Sequence, residues 1–319
     1  MTDRRPLGRS GLLTPRLVLG GNVFGWTVSG EEAFRILDRF VDAGGTMIDT
    51  ADVYSAWVPG HQGGESETLI GEWLKRRRPR GEIQIATKVG MLHRHGGGKL
   101  EGWRIAKAAD ASLMRLGVET IDLYYAHQDD PDTPMEEVLG AFDRLVEAGK
   151  VRALGASNFT AERLGQALSL AREMGVSRYE VLQNEYHLLE RGKVEGSLQQ
   201  LCLAEEVGIL PFYGLASGYL TGKYRSEKDY GQSVRGDRMA KYVEGRGPAV
   251  LAALDEIAAE SGATPAQIAL AWVAAQPGVA APIASARTLE QLEELLGAMI
   301  LELSSGQLAR LDEASRGTA

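Results

Sequence analysis

Cysteine is almost absent from this sequence, and so are long uninterrupted apolar runs. The 319 residues contain a single cysteine, Cys202, which excludes an internal disulfide and a zinc site built from cysteines alone. Its two leucine neighbours predict a buried structural thiol. The most apolar stretch, residues 268–284, is interrupted by a Gln-Pro-Gly sequence and is too short to cross a bilayer. We therefore expect neither a disulfide-stabilised nor a membrane-spanning protein.

Basic residues are too few to give the chain a positive surface. Lysine and arginine together number 35 against 43 aspartate and glutamate residues, so the formal net charge at pH 7 is -8. An acidic surface repels nucleic acid and anionic membranes, and we expect neither as a partner. Residues 1–6 are followed by no apolar segment, which predicts no secretory signal and a cytoplasmic location.

Short β-rich runs alternate with helical patterns along the whole chain. The β-rich runs are residues 17–19, 46–50, 83–88, 121–127, 151–156, 181–183, 209–213 and 280–284. Between them, apolar residues recur three and four positions apart, as at Ala33, Ile36 and Phe40, which is typical of a helix with one buried face. No linker or change of composition divides this alternation. It predicts an α/β fold in which residues 1–319 form a single (β/α)8 barrel domain.

Two segments outside the regular alternation have their own predictions. Residues 5–15 are typical of a β-hairpin with Ser10 and Gly11 at its centre, which would cap the bottom of the barrel. Residues 216–247 are rich in glycine, serine and charge, and they predict a long irregular connection after the seventh strand. The rival architecture is an open doubly wound sheet, but no segment has the G-x-G-x-x-G spacing expected there. The sequence also lacks P-loop, zincin and α/β-hydrolase motifs.

Four polar residues lie at or just after the ends of predicted strands: Asp49, Tyr54, Lys88 and His127. In a barrel, these strand ends meet on the face where barrel enzymes have their active sites. Taken singly, each residue also has a structural interpretation, such as a helix cap for Asp49 or a core histidine for His127. Their common placement is what suggests a shared function.

Together the four side chains predict a device for proton transfer. A tyrosine with a pKa of ~10 is a weak acid near neutral pH. We expect the Lys88 ammonium to lower the pKa of Tyr54, and the Asp49 carboxylate to keep Lys88 charged and oriented. His127 would hydrogen-bond a substrate oxygen or relay the proton. This arrangement suits protonation of an alkoxide formed from a carbonyl, a reaction in which a cofactor must supply the hydride.

Six short motifs in order make the sequence resemble the aldo-keto reductase family over essentially its whole length. The most specific is GTMIDTADVY at residues 45–54, which is similar to the family's signature around its catalytic aspartate and tyrosine. The others are ATK at 86–88, DLYYAH at 122–127, GASNF at 155–159, QNEY at 183–186 and LTGKY at 220–224. The resemblance implies a (β/α)8 barrel and NAD(P)H-dependent reduction of an aldehyde or ketone, sugars included, to the alcohol. The implied catalytic tetrad is the same four residues, with Tyr54 as the general acid.

The resemblance also implies where a nicotinamide cofactor binds. NADPH is expected, with NADH as the alternative, because Arg287 stands where a guanidinium would grip a 2′-phosphate. Tyr213 would stack on the nicotinamide ring, although a packed strand aromatic is its structural alternative. Helix capping is the alternative for Ser157 or Asn158. The implied cofactor-binding residues are Gly21, Asn22, Val23, Asp49, Ser157, Asn158, Gln183, Tyr213, Gly214, Leu215, Ala216, Ser217, Gly218, Lys223, Ile283, Ser285, Arg287, Gln291 and Glu294.

Three positions depart from the family's pattern in the implied cofactor site. Gly214 stands where many relatives have serine, Ala284 replaces a common proline, and Leu295 replaces a common asparagine near the adenine. These changes bear on the affinity for the cofactor and on the choice between NADP and NAD. The tetrad is unaffected.

The predicted substrate contacts are Tyr54, His127, Trp26 and Trp57. The two tryptophans would form an apolar mouth, as small-molecule pockets usually have, or would simply close the barrel rim. Residues 89–100, which include Met91, form a long loop that would also line the pocket. His93 and His95 in this loop lack a carboxylate partner, so we expect no metal site.

Two other classes of function share parts of this pattern. The potassium-channel β subunits have the same fold and similar motifs, which makes a nucleotide-sensing regulatory subunit the alternative function. Nothing in the sequence resembles a docking extension, and this disfavours it. A metal-dependent barrel hydrolase would need clustered ligands at the strand ends, and only His127 and Asp49 approach that. The sequence favours an oxidoreductase acting on a small-molecule carbonyl, and it fixes no oligomeric state.

Overall fold

The N-terminal segment forms the predicted hairpin across the bottom of the barrel. The computed structural model describes residues 3–77, 81–92, 99–232 and 236–316. Strand β1 (Arg4–Pro6) pairs antiparallel with β2 (Leu13–Pro15). Gly8, in the connecting turn, has φ +56°, and a Cβ there would lie 2.4 Å from the backbone oxygen of Glu180 and 2.6 Å from that of Glu206. A glycine is therefore required where the hairpin meets the start of two barrel strands.

Eight parallel strands form the barrel wall, as predicted. They are β3 (Val18–Gly20), β4 (Met47–Asp49), β5 (Gln84–Val89), β6 (Ile121–Ala126), β7 (Val151–Ser157), β8 (Tyr179–Gln183), β9 (Gly208–Ile209) and β10 (Ile283–Ala284). From β3 to β9 each strand pairs with the next along the chain, and β10 pairs with β3. Ile209 N donates to Gly278 O at 3.0 Å and Ile209 O accepts from Ala280 N at 2.9 Å. These bonds join β9 to the segment before β10 and close the barrel.

Helices follow the strands and cover the outside of the barrel. They are α1 (Gly30–Asp42), α2 (Glu65–Arg76), α3 (Gly102–Leu116), α4 (Met135–Glu147), α5 (Ala161–Met174), α6 (Ser197–Ala204), α7 (Ala240–Val243), α8 (Gly247–Ser261), α9 (Pro265–Ala274), α10 (Leu289–Ala298) and α11 (Ser305–Arg316). Thr264 and Gln267 form a capping box at the start of α9, which satisfies backbone groups that the first turn leaves unpaired. Within the described ranges, no helix is both long and apolar enough to cross a membrane.

The connection after β9 is irregular at its start, as predicted, and more regular further on. Residues Ala216–Thr221 form a 3-10 turn in which Ser217 and Gly218 have non-helical φ, whereas the 3-10 turns Glu227–Gln232 and Gly236–Met239 precede α7. The prediction was wrong for this second part, because it weighed glycine and charge above the apolar residues in the segment. Tyr219 and Leu220 are buried and anchor the first turn to the barrel.

The apolar core has two layers separated by the strands. The inner cluster fills the barrel and consists of Leu7, Leu12, Val18, Met47, Ala86, Leu123, Tyr125, Ala153, Val181, Leu210, Ala280, Ala281 and Ile283. Its first two members come from the hairpin, which confirms that the hairpin caps the barrel. The larger outer cluster lies between strands and helices and includes Phe40, Trp73, Phe142 and Trp272. With its interior filled by side chains, the barrel leaves only the carboxyl ends of its strands for an open pocket.

Candidate active site

Neighbouring strands bring the four predicted tetrad residues to one rim of the barrel. Asp49 is the last residue of β4, and Lys88 lies near the end of β5. His127 directly follows β6, and Tyr54 follows β4 in a turn in which its backbone N–H donates to Ala51 O at 3.2 Å. Because the strands are parallel, their carboxyl ends meet on the same face. Strand-end position alone is therefore enough to gather these residues.

Lys88 is fully buried and uses all three hydrogens of its ammonium group. Nζ donates to Asp49 Oδ1 at 2.5 Å, to Thr50 O at 2.7 Å and to the Tyr54 hydroxyl oxygen at 3.0 Å. Gln183 Nε2 donates to the other carboxylate oxygen of Asp49 at 2.9 Å. The Tyr54 oxygen is thus an acceptor from Lys88, while its own hydrogen is donated to the Asp49 carboxylate.

The tetrad does not make Tyr54 more acidic, and on this point the expectation from sequence was wrong. Burial, followed by the Asp49 carboxylate, raises the pKa of Tyr54 well above its ordinary value of ~10. Lys88 does not reverse this shift, because Asp49 already neutralises its charge at 2.5 Å. Burial also lowers the pKa of Lys88, and the Asp49 carboxylate opposes that fall. The phenol therefore keeps its proton at neutral pH.

His127 is a buried, neutral side chain beside Tyr54. The centroids of the two rings lie 6.1 Å apart in an edge-on arrangement. Burial, and then the charge of Lys88, lowers the pKa of His127 well below its ordinary value of ~6.5. Its Nδ1 atom is buried without a hydrogen-bond partner among the residues that the structure describes. The imidazole is therefore a neutral group with hydrogen-bonding capacity to spare.

A cavity of about 710 Å³ opens above the tetrad. Its volume falls within the ~300–1,000 Å³ of ordinary small-molecule sites. All four predicted substrate contacts, Tyr54, His127, Trp26 and Trp57, line it. So do most of the predicted cofactor residues: Asn22, Val23, Asp49, Asn158, Gln183, Tyr213, Gly214, Leu215, Ser217, Gly218, Lys223, Ile283, Ser285, Arg287, Gln291 and Glu294. One cavity thus collects residues from across the sequence.

Three predicted cofactor residues lie behind the cavity wall instead of on it. Gly21 is packed against β4, where its N–H donates to Asp49 O at 2.7 Å. The Ser157 hydroxyl is buried and accepts from Asn158 Nδ2 at 3.1 Å. Ala216 is completely buried. These residues lie directly behind the wall, and their contact with a cofactor stays a prediction.

The backbone after β9 takes an unusual course along the cavity. Tyr213, Ala216 and Ser217 have φ of 58°, 50° and 58°, in the left-handed region that non-glycine residues rarely adopt. Gly218 follows with φ 102°, and a Cβ there would lie 3.8 Å from Lys223 Nζ. An ammonium group beside open, strained backbone is a setting that favours an anion.

Helix α10 bounds the far end of the cavity. The Thr288 hydroxyl accepts from Gln291 N at 3.3 Å, and Gln291 Oε1 accepts from Arg287 N at 2.9 Å. Gln291 and Glu294 are three residues apart and share the helix face that lines the cavity. The Arg287 guanidinium has no hydrogen bond or ion pair to any described residue. A fixed turn therefore presents a cation that no described residue pairs at this end.

An aromatic cluster forms the mouth of the cavity above Tyr54. The rings of Trp26 and Trp57 meet edge-on at 5.5 Å, and those of Trp57 and Tyr54 at 6.1 Å. Met91 also lines the cavity, whereas His93 and His95 lie outside the described residues. Within the described ranges, no group of three or more histidine, cysteine or carboxylate residues could hold a metal ion. The mouth is therefore apolar where the structure describes it.

Several lining residues escaped the analysis of the sequence: Gly20, Thr27, Val53, Gln128, Phe212 and Thr221. Gln128 and Phe212 adjoin residues that were predicted, so extending each strand end by one position would have found them. No comparable signal marks Gly20. A Cβ there would lie 2.4 Å from Ser285 Oγ, a contact between distant segments that only the fold creates.

Comparisons with known proteins agree with this geometry. The model of the aldo/keto reductase family matches residues 16–316. The NADP(+) aldo-keto reductase yakc of Schizosaccharomyces pombe is 32% identical over 295 residues, covering 90% of this chain and 83% of the relative. Aldo-keto reductase str7 of Strobilurus tenacellus is 34% identical over 291 residues, covering 90% and 82%. The uncharacterized oxidoreductase YrpG of Bacillus subtilis is 33% identical over 324 positions, covering 98% and 95%. Matched over nearly its whole length, this chain belongs to the aldo/keto reductase family and is an NAD(P)H-dependent oxidoreductase.

Proposed function

We propose that this enzyme reduces an aldehyde or ketone to the alcohol with NADPH, and that Tyr54 donates the proton. The observation that carries the proposal is the direction of the hydrogen bond between Lys88 and Tyr54. Lys88 Nζ donates to the Tyr54 oxygen at 3.0 Å, so the phenol keeps its own hydrogen, which the Asp49 carboxylate accepts here and which a second acceptor can take over. A carbonyl oxygen held in the cavity would be that acceptor.

The raised pKa of Tyr54 suits a group that must hold its proton until charge develops on the substrate. Burial and the Asp49 carboxylate keep the phenol protonated while the substrate oxygen is still a carbonyl. An alkoxide is a far stronger base than a phenolate, so the transfer remains favourable despite the raised pKa. As the phenolate forms, the hydrogen bond from Lys88 stabilises its new negative charge.

His127 supplies a neutral hydrogen-bonding group on the other side of the substrate oxygen. Its lowered pKa keeps the imidazole uncharged, and one of its two nitrogens then carries a hydrogen. The ring lies edge-on to Tyr54 with centroids 6.1 Å apart, so both residues reach the same part of the cavity. We assign His127 the role of orienting the carbonyl toward the Tyr54 hydroxyl.

The residues along the cavity fit a nicotinamide dinucleotide. Asn158 and Gln183 offer amide groups for the carboxamide, and Tyr213 offers an aromatic face for the ring. The strained backbone at residues 214–218, with Lys223 beside it, fits the pyrophosphate. When bound, the cofactor supplies the hydride that no protein side chain can provide.

NADPH is the better candidate because a cation that no described residue pairs stands at the far end of the cavity. The guanidinium of Arg287 lacks a partner among the described residues, and a 2′-phosphate would give it one. NADH carries only a hydroxyl at that position and would leave the cation unpaired. The name of the Schizosaccharomyces pombe relative, which specifies NADP(+), supports the same choice.

The substitution Tyr54→Phe tests the proton donor directly. Turnover, followed as loss of reduced-nicotinamide absorbance over a panel of aldehydes, ketones and sugars, should fall about 10²- to 10⁴-fold. Cofactor affinity, measured by fluorescence titration, should stay unchanged because the ring still packs on Trp57. Tyr230→Phe removes a hydroxyl outside the cavity lining and should keep full turnover. Wild-type turnover in Tyr54→Phe would overturn the proposal.

A further inference from the structure

A second group of ionisable side chains is buried directly behind the tetrad. Asp52 and Glu67 are 3% and 0% exposed, in the turn before Tyr54 and in α2 respectively. Neither contacts the cavity. Buried carboxyl groups are uncommon unless they are paired, so their position behind Lys88 calls for a physical reason.

Glu67 ties α2 and α3 to the strand that carries Lys88. Its Oε1 accepts from the Thr87 hydroxyl at 2.6 Å, one residue before Lys88 in β5. Its Oε2 accepts from Arg115 of α3, from Nε at 2.7 Å and from the terminal nitrogen at 2.6 Å. The Glu67 carboxylate is therefore neutralised by one guanidinium and anchored to the β5 backbone through a threonine.

The main chain of Asp52 also contacts Lys88. Its backbone N–H donates to the Lys88 carbonyl at 3.2 Å, and Tyr54 follows two residues later. The Asp52 Oδ1 atom is buried without a hydrogen-bond partner in the described part of the chain. The Asp52 main chain thus connects Lys88 to Tyr54, while its buried carboxyl group accepts a hydrogen bond from the Val53 backbone and leaves Oδ1 without a described partner.

Counting the charges around Asp52 indicates that it carries a proton. Arg115 is engaged by Glu67, and Lys88 is engaged by Asp49, so no cation is left for a second carboxylate. Two carboxyl groups that share one site cannot both ionise easily. In accordance with this, burial and then the Glu67 charge raise the pKa of Asp52 to about 8.

We propose that Asp52 is a positioning residue that, while protonated, holds Lys88 and the Tyr54 turn in their catalytic arrangement, and whose deprotonation limits turnover at alkaline pH. The inference rests on the proposed role of Tyr54 as the proton donor. It concerns a residue that does not line the cavity.

The groups that face Asp52 explain why its deprotonation would matter. Glu67 repels an ionised Asp52 from α2, while Arg115 of α3 and Lys88 of β5 attract it. Tyr124 of β6 also faces Asp52, and its buried hydroxyl has no described partner. An ionised Asp52 therefore competes with Asp49 and Tyr54 for the Lys88 ammonium. The hydrogen bond that stabilises the phenolate weakens as a result.

The same titration affects the stability of the fold. The unfolded chain releases the Asp52 proton near pH ~3.9, whereas the folded protein holds it until about pH 8. Between these values the folded state binds more protons than the unfolded state. The free energy of unfolding therefore decreases as the pH rises through this range. An asparagine at position 52 has no proton to lose and is free of this effect.

The substitution Asp52→Asn keeps the size and hydrogen-bonding capacity of the protonated acid. Near neutral pH its kcat should stay close to that of the wild type, and above about pH 8 it should no longer show the one-proton fall of about tenfold per pH unit. The difference between the melting temperature of Asp52→Asn and that of the wild type should increase in favour of the variant as the pH rises from 5 to 8. Asp132→Asn, the same change at an exposed loop residue, should alter neither profile.

A second variant, Glu67→Gln, tests the interaction between Asp52 and Glu67 by changing Glu67. Removing the Glu67 charge removes a cause of the raised Asp52 pKa, so the alkaline fall should move to lower pH. The proposal is overturned if Asp52→Asn retains the wild-type fall in kcat at alkaline pH, or if Glu67→Gln does not move that fall to lower pH. The melting profiles require no turnover, so they test the buried proton even if Tyr54→Phe disproves the proposed proton donor.

Discussion

The two ends of the cavity differ in how far the protein itself satisfies their polar groups. Beneath Tyr54, the Lys88 ammonium makes three hydrogen bonds within the protein, at 2.5, 2.7 and 3.0 Å. Beside α10, the Arg287 guanidinium makes none to the residues that the structure describes. From this difference we infer that the end at Tyr54, where we propose catalysis (the catalytic end), is arranged before a ligand arrives, whereas the end at Arg287, where we propose the nucleotide (the nucleotide end), would be completed by its ligand.

This contrast leads to different expectations for the free energy of unfolding. Lys88 and Asp49 are 0% and 2% exposed, and each is the other's charge partner. Removing one of them leaves a buried charge without compensation. Removing Arg287 breaks no bond within the described protein. We therefore expect substitutions at the catalytic end to reduce both stability and turnover, and those at the nucleotide end to reduce binding alone.

The substitution Lys88→Met gives the largest expected effect. It leaves Asp49 buried and unpaired, which should lower the free energy of unfolding by about 3–5 kcal/mol. Turnover should fall at least about 100-fold, because the Tyr54 phenolate loses the donor that stabilises it. Urea denaturation and the nicotinamide absorbance assay measure the two effects.

An exposed ion pair provides the matched control for this variant. Lys150 and Asp110 lie 2.6 Å apart with side chains 41% and 58% exposed. Lys150→Met should cost less than about 1 kcal/mol of stability and leave turnover unchanged. If the two methionine variants unfolded at the same urea concentration, the claim that the catalytic end is arranged by a buried charge pair would be wrong.

The substitution Arg287→Ala tests the other end of the comparison. Charged hydrogen bonds of about 1.5–3 kcal/mol to a 2′-phosphate should disappear, raising KM for NADPH about 10- to 150-fold. KM for NADH, kcat at saturation and the melting temperature should stay constant, since no bond within the described protein is lost. Arg310→Ala, on α11 and outside the cavity lining, is the control. Equal losses with the two cofactors would contradict a 2′-phosphate contact.

The fold was predictable because barrel strands and helices leave periodic patterns, yet four strands are shorter than predicted, two of them beside a proline. The run 209–213 becomes the two-residue β9, because Pro211 has no N–H to donate and Tyr213 turns away with φ 58°. The run 280–284 becomes β10, which begins after Pro282. Proline within an apolar run marks the boundary that the hydrophobic pattern alone does not.

The tetrad was predictable for a similar reason, whereas its electrostatics were not. Strand ends place Asp49, Lys88 and His127 on one rim whatever the details of packing. The direction of the Tyr54 pKa shift depends on burial and on the pairing of Lys88 with Asp49, which only three-dimensional contacts determine. The effect of Glu67 on the pKa of Asp52 was missed likewise, because the packing of α2 and α3 places its charge near Asp52.

Trp57 extends the comparison to the rim, where the catalytic end meets solvent. Its side chain is 48% exposed, yet its ring packs edge-on against both Trp26 and Tyr54. Such contacts order a surface without burying it completely. If the part of the cavity that is arranged before a ligand arrives includes this rim, Trp57 should contribute to substrate binding. It should have no effect on the chemical step.

The substitution Trp57→Ala should therefore produce the smallest of these effects. Loss of aromatic contacts worth about 0.5–1.5 kcal/mol should raise KM for a bulky aldehyde such as 2-naphthaldehyde about 2- to 10-fold. KM for propanal, which is too small to span the mouth, and kcat for both should stay constant. Trp103→Ala removes a tryptophan of similar exposure, 56%, from the remote helix α3 and should change neither. A fall in kcat for propanal would show that Trp57 also positions Tyr54, so that the arranged region would reach the solvent boundary.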